Sequence, residues 1–124
     1  MERVTLVVDA ANVVGSVPDG WWRDRKGAAE RLRDRLVPVA SGGLPGVPGP
    51  LDVVLVVEGQ ARGVAPVPGV RVEAARGSGD DRIVELVAET PAPGVVVTAD
   101  RGLRARVTPL GATCLGPRTV RPTP

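Results

Sequence analysis

Apolar positions fall into short unbroken runs separated by stretches of helical spacing. Arg3-Val-Thr-Leu-Val-Val-Asp9, Leu51-Asp-Val-Val-Leu-Val-Val57 and Gly94-Val-Val-Val-Thr98 are runs of the kind that a parallel sheet buries on both faces, and they predict strands over 3–9, 51–57 and 94–98. Val70-Arg-Val-Glu-Ala74 and Ala112-Thr-Cys-Leu115 predict two shorter strands. Trp22, Ala29, Leu32, Leu36 and Val39 recur at helical spacing, which predicts a helix from Asp19, a candidate cap, to about Ala40. Arg23, Arg25, Lys26, Arg31, Arg33 and Arg35 surround that stripe. Further helices are predicted over 80–89 and 100–107. Gly15, Pro18 and Gly20 mark a loop after Asp9-Ala-Ala-Asn12, Ser41 to Pro50 reads as a Gly/Pro loop, and Pro91 and Pro93 break the chain before the fourth strand.

Strands alternating with helices imply an α/β fold, a parallel sheet with right-handed crossovers. At 124 residues this is one domain, expected over 1–117 with a flexible tail over 118–124. The pattern does not dictate strand order. If strands one and four are neighbours, Asp9 and Asp100 face each other across the carboxyl edge of the sheet, and the helix that opens at Asp80 brings its own acids there.

Composition narrows the chemistry. There is no histidine, no tyrosine and one cysteine, so catalysis, if any, runs on carboxylates, a metal and water. A lone Cys114 excludes an intramolecular disulfide and reads as a small buried hydrophobe. All but Lys26 of the 16 basic side chains are arginine, against 14 acids. The net charge of +2 suits an anionic partner such as RNA without requiring one, and an ordinary solvated Arg/Asp surface fits as well. No apolar run approaches the roughly 20 residues of a membrane span, and the N-terminus has no signal-peptide pattern. A cytoplasmic location is therefore expected.

The candidate site is acidic. Clustered carboxylates resist joint ionisation unless a cation compensates them. Mg²⁺ or Mn²⁺ takes oxygen ligands, can turn water into a nucleophile and can neutralise charge building on a phosphate. Asp9, Asp80, Asp81 and Asp100 are the candidate metal ligands, with Asp9, Asp81 and Asp100 the catalytic three, Asp80 orienting water or a second ion, and Glu58 a possible outer acid. Asn12, Arg82 and Arg101 are candidates for holding the substrate backbone. Each has a plainer reading. Asp9 and Asp100 could simply cap the helices that follow them, Ser78-Gly-Asp-Asp81 matches a capping box, and Glu58 could be a solvated loop acid. Trp21-Trp22 offers either core packing or a stacking surface for a base. Arg104, Arg106, Arg118 and Arg121 could extend a basic track or be ordinary surface.

Taken together, Leu6-Val-Val-Asp-Ala-Ala-Asn12, Gly79-Asp-Asp-Arg-Ile-Val84 and Val96-Val-Thr-Ala-Asp-Arg-Gly-Leu103 resemble the NYN domain, a branch of the PIN-like nuclease superfamily. The resemblance spans about residues 3–115. It is nearest to the small bacterial proteins of the YacP group, and the Asp-Asp-Arg segment is also similar to Zc3h12a-type RNases. It implies a Rossmann-like, three-layer PIN-like fold with sheet order 3-2-1-4-5, and a Mg²⁺- or Mn²⁺-dependent endoribonuclease. By the same resemblance the first metal-binding aspartate is Asp9, the family asparagine Asn12, the paired acids Asp80 and Asp81 and the last acid Asp100, with Glu58 at a position where relatives often carry an acid. The chain departs from the pattern in its shortness and its long Gly/Pro loops. So small a domain has little surface to grip RNA, which leaves a protein partner or a homodimer open.

Two other functions fit less of the pattern. A non-catalytic RNA- or protein-binding module gains nothing from gathered negative charge. A nucleotide phosphohydrolase could use the same metal site. Two other phosphate enzymes on similar sheets fit poorly: a haloacid-dehalogenase-type phosphatase wants an acid where Ala11 stands, and a response-regulator receiver wants a late lysine, whereas the only lysine is Lys26.

Overall fold

The computed structural model describes residues 3–90 and 94–121. Five parallel strands form the central sheet: β1 (Val4–Asp9), β2 (Leu51–Val57), β3 (Val70–Ala74), β4 (Val95–Val97) and β5 (Thr113–Leu115). Their order across the sheet is β3-β2-β1-β4-β5, the order 3-2-1-4-5 that the resemblance implied. The unbroken apolar runs occupy its middle. β1 pairs with β2 from Val4↔Leu51 to Asp9↔Val56, and with β4 from Leu6↔Val95 to Val8↔Val97. The mixed sequences of β3 and β5 lie at the edges, where one flank of each strand needs no partner.

The pleat sorts side chains into two cores. Leu6, Val8, Val53, Leu55, Val57, Val95 and Val97 point to one face, against Val13, Ala29, Leu32 and Leu36 of the first two helices. Val7, Val54, Val56 and Val96 point to the other, against Ile83, Leu86, Leu103 and Val107 of the last two. Helices α1 (Ala10–Gly15) and α2 (Arg25–Gly42) thus cover one face, and α3 (Gly79–Glu89) and α4 (Arg101–Val107) the other, giving three layers. The chain moves outward from β1 to β3, then crosses back through α3 to β4 on β1's free side. The order in which strands are added therefore reverses between β1 and β4, the switch point at which open α/β sheets bind ligands.

Several boundaries differ from expectation. Asp9 opens helix α1 at once, where a loop was predicted; six residues are too few for periodicity to reveal. Helix α2 begins at Arg25 rather than near Asp19, because the Asp24 side chain caps it by accepting from Gly27 N at 3.0 Å. Trp22, assigned above to the apolar stripe of that helix, stands before it in a 3₁₀ turn (Trp21–Arg23) and is half exposed. The Gly/Pro loop contains a two-stranded antiparallel hairpin, Gly43–Leu44 with Val47–Pro48. Cys114 is only partly buried, at the margin of the second core.

Pro91 and Pro93 lie outside the described residues, as do residues 122–124 of the expected tail. Residues 118–121 pack onto the body. Val120 joins the first core, and Arg121 donates to Val14 O at 2.8 Å and to the Asp19 carboxylate, clipping the end of α1. No described helix is long and apolar enough to cross a membrane.

Candidate active site

Pleat parity builds the site. Asp9 follows Val7, Glu58 follows Val56 and Thr98 follows Val96, each by two residues, so each continues the α3–α4 face past the carboxyl end of its strand. That edge is met by the N-terminus of α3, which carries Asp80 and Asp81, and by Asp100, which ends the β4 run.

Asp9 is almost fully buried. Its Oδ1 accepts from Asn12 N at 3.4 Å, and its Oδ2 accepts from the Thr98 hydroxyl at 2.9 Å. The same hydroxyl accepts from Asp100 N at 3.1 Å, so Thr98 ties the two aspartates together. Asn12 Oδ1 accepts from Ala99 N at 2.8 Å, which fastens α1 to the loop that carries Asp100. Asp100 itself is exposed and caps α4 by accepting from Leu103 N through Oδ1 at 2.9 Å. Glu58 reaches across to α3, where its Oε2 accepts from Gly79 N at 2.9 Å. Ser78 caps the same helix by accepting from Asp81 N at 3.2 Å.

The capping readings are therefore correct for Asp9, Asp100 and Ser78, and they coexist with a shared electrostatic site. Burial pushes the Asp9 carboxyl up from 3.8 to about 6; the hydrogen bonds from Thr98 and Asn12 oppose the rise, and the charges of Asp80 and Glu58 add to it. Asp80 is also raised, by burial first and then by Asp100 and Glu58, with Arg106 opposing. Asp9, Glu58, Asp80 and Asp100 thus form one group whose charges repel.

Asp81 also adds to the rise at Asp80, yet it is exposed and turned to Arg106, with which it pairs at 2.9 Å. Arg82 is turned from the group as well, toward Glu73 at 3.4 Å, Glu85 at 3.7 Å and Glu89 at 3.9 Å. Arg101 is exposed at the start of α4. Arg104 donates from Nε to Thr98 O at 2.8 Å, buttressing the strand end. The sequence reading missed Thr98 and this use of Arg104. A hydroxyl at the buried end of an apolar run, on the same pleat face as the acids, was the signal available for Thr98.

The donor chemistry suits a hard cation: carboxyl oxygens gathered despite mutual repulsion, with lone pairs left on both Asp9 oxygens. Among the described residues no three acidic or thiol side chains are gathered tightly enough to enclose an ion. Mg²⁺ typically uses one or two carboxylates and keeps several waters, so an open arrangement of this kind is compatible with it.

No protein-family model matches the chain, and no curated protein matches it. Solved structures do. The crystal structure of Rae1 (YacP) from Bacillus subtilis superposes with a TM-score of 0.75 at 18% identity, over 97% of this chain and 71% of that one. A point mutant of the same protein gives 0.68 at 20% identity, over 95% and 72%. At such identities the likeness is one of fold.

Proposed function

We propose that this chain is a metal-dependent endoribonuclease of the YacP-like, NYN branch of PIN-like proteins. The observation that carries the reading is the group Asp9, Glu58, Asp80 and Asp100 at the switch point of the sheet, four carboxylates of which two are driven toward protonation by burial and by the others. The likeness in fold to Rae1 (YacP) supports it independently of the motifs that first suggested the family.

In this reading one or two of Asp9, Asp80 and Asp100 would hold Mg²⁺ or Mn²⁺ directly and the remaining acids, Glu58 among them, would face its waters. When bound, such an ion lowers the pKa of a coordinated water and neutralises charge on the phosphate. The chain's own residues do the rest. Thr98 and Asn12 fix the Asp9 carboxylate through one hydrogen bond to each oxygen. Asn12 also sets the height of the Asp100 loop, and its amide nitrogen remains to meet a phosphate oxygen. Glu58 holds the N-terminus of α3 against β2, which keeps Asp80 at the edge. Arg101 is the cation best placed in sequence to meet the RNA backbone beside Asp100. Asp81 and Arg82, bound elsewhere, would act only after exchanging partners.

The test is cleavage of a labelled, structured RNA with Mn²⁺, with Mg²⁺ and with EDTA, beside Asp9→Asn and Asp100→Asn. Asparagine caps helices as well as aspartate does, so both variants keep the local fold. Cleavage that requires metal and falls at least about a hundredfold in each variant is expected. Cleavage that persists in EDTA, or at the wild-type rate in either variant, overturns the assignment. RNA binding without cleavage under any metal favours a non-catalytic module.

A further inference from the structure

Beside the acids lies a cleft of about 500 Å³ whose walls include Ala11, Val14, Trp21, Arg25, Glu58 and Ser78. It is continuous with the site just described: Glu58 belongs to both, and Ser78 precedes the helix that carries Asp80. Its chemistry is different. Alanine and valine side chains from α1 make an apolar wall, Trp21 supplies an aromatic ring, and the Arg25 guanidinium lies 5.2 Å from the centroid of that ring. Trp21 is only half-buried. Gly15 lies beneath its indole, where a Cβ would come within 3.7 Å of it. The ring packs against the first core and also lines the cleft, and a flat cation already rests on it. An apolar slot with an aromatic wall and an arginine at its rim suits a planar, uncharged heterocycle attached to an anionic chain.

We propose that this cleft takes one unpaired base of the RNA strand, stacked on Trp21, with Arg25 shifting to the adjoining phosphate. The inference rests on the nuclease reading for its substrate class, and it specifies how the strand is held. Trp22, half exposed and edge-on to Trp21 with ring centroids 5.9 Å apart, lies outside the cleft and has no part in the stacking. The base then anchors the strand next to the acids, and duplex RNA, whose bases are already stacked and paired, must open before it can enter.

The chain contains two tryptophans and no tyrosine or phenylalanine, so single-tryptophan variants give an unambiguous optical signal. Trp22→Phe leaves Trp21 as the only fluorophore, and Trp21→Phe leaves Trp22. Each is titrated in EDTA with a single-stranded oligoribonucleotide, and with an oligomer of the same length built from abasic residues. Expected is quenching of Trp21 emission by the intact strand and not by the abasic one, with Trp22 emission little changed by either. Trp21→Ala should weaken binding of the intact strand by about tenfold, within the range for a stacked base, and Trp22→Ala by less than about twofold. Circular dichroism checks that the Trp21→Ala variant folds, and the quenching experiment stands without it. No quenching of Trp21, or equal quenching by both oligomers, overturns the proposal. Because binding is read without metal, quenching can appear even if cleavage never does. Metal-dependent cleavage with no quenching would sink the base pocket and leave the nuclease reading intact.

Discussion

At the scale of single residues, Asp9 combines a structural cost with a chemical use. Its folded-state carboxyl, near 6, lies above the ordinary aspartate value of 3.8, so between those two values the folded chain binds more protons than the unfolded one. Stability therefore falls as pH rises through that window, by on the order of 3 kcal/mol if the whole shift is realised. The contribution is fully present below about pH 4 and lost above about 6. Asp9→Asn removes the buried charge while keeping the α1 cap. In EDTA at pH 8 it should melt several degrees above the wild type, a gap that closes toward pH 4; an equal or lower melting temperature at pH 8 contradicts this account of the site. Thr98 is the complementary case. Thr98→Val removes a hydrogen bond that holds the Asp9 carboxyl down, so the acid limb of the cleavage–pH profile should move to higher pH, with a stability loss of about 1–3 kcal/mol from the unmet polar groups. A profile that stays in place would show that Thr98 does not govern Asp9. The acids themselves were legible because each ends an apolar run or opens a helix. Which of them meet was not. Asp81 finds Arg106, Arg82 finds Glu73 and Glu58 finds Gly79 across distances in sequence that no local pattern encodes.

At the scale of elements, legibility followed length. The continuous runs that became β1, β2 and β4 and the amphipathic stretch that became α3 were readable almost to the residue, because each has enough apolar positions to fix a period. The six-residue α1 and the two-residue strands of the 43–48 hairpin do not. That hairpin depends on Gly43, which adopts φ +78° and ψ −166°, a region almost confined to glycine, and whose missing side chain makes room for Gly49 N and Val47 O. Gly43→Ala should cost at least about 2 kcal/mol in urea unfolding. Gly46→Ala at the hairpin tip, with φ +78° but open space around it, should cost nearer 1 kcal/mol. Equal effects at the two positions would mean that backbone crowding at Gly43 contributes nothing. The start of α2 was misplaced for a related reason: Asp19 and Asp24 both carry the cap chemistry, and only the three-dimensional path shows that Asp19 is engaged by Arg121 instead.

For the molecule as a whole, the α/β class with a parallel sheet followed from the alternation of elements, whereas the three layers and the strand order came with the family resemblance, since apolar runs carry no label for their neighbours. Residues 118–121 were expected to be a flexible tail from their place at the end of the chain, yet Val120 is buried and Arg121 holds the last carbonyls of α1. Arg121→Ala should loosen α1 and the segment leading to Trp21, seen as faster amide exchange over residues 13–24 with little change in the sheet. Unchanged exchange there would assign the clip no role in ordering the cleft wall.

Asp9, Glu58 and Thr98 reach one layer because they share the pleat parity of Val7, Val56 and Val96, and that parity constrains how such a chain can change over time. Deleting a single residue within β1 would carry Asp9 to the α1–α2 face, away from Thr98 and Asp80, although every side chain needed for chemistry would still be encoded. Loops in this lineage are free to drift in length one codon at a time; its strands can accept only even steps, so the function is inherited as a reading phase as much as a set of residues.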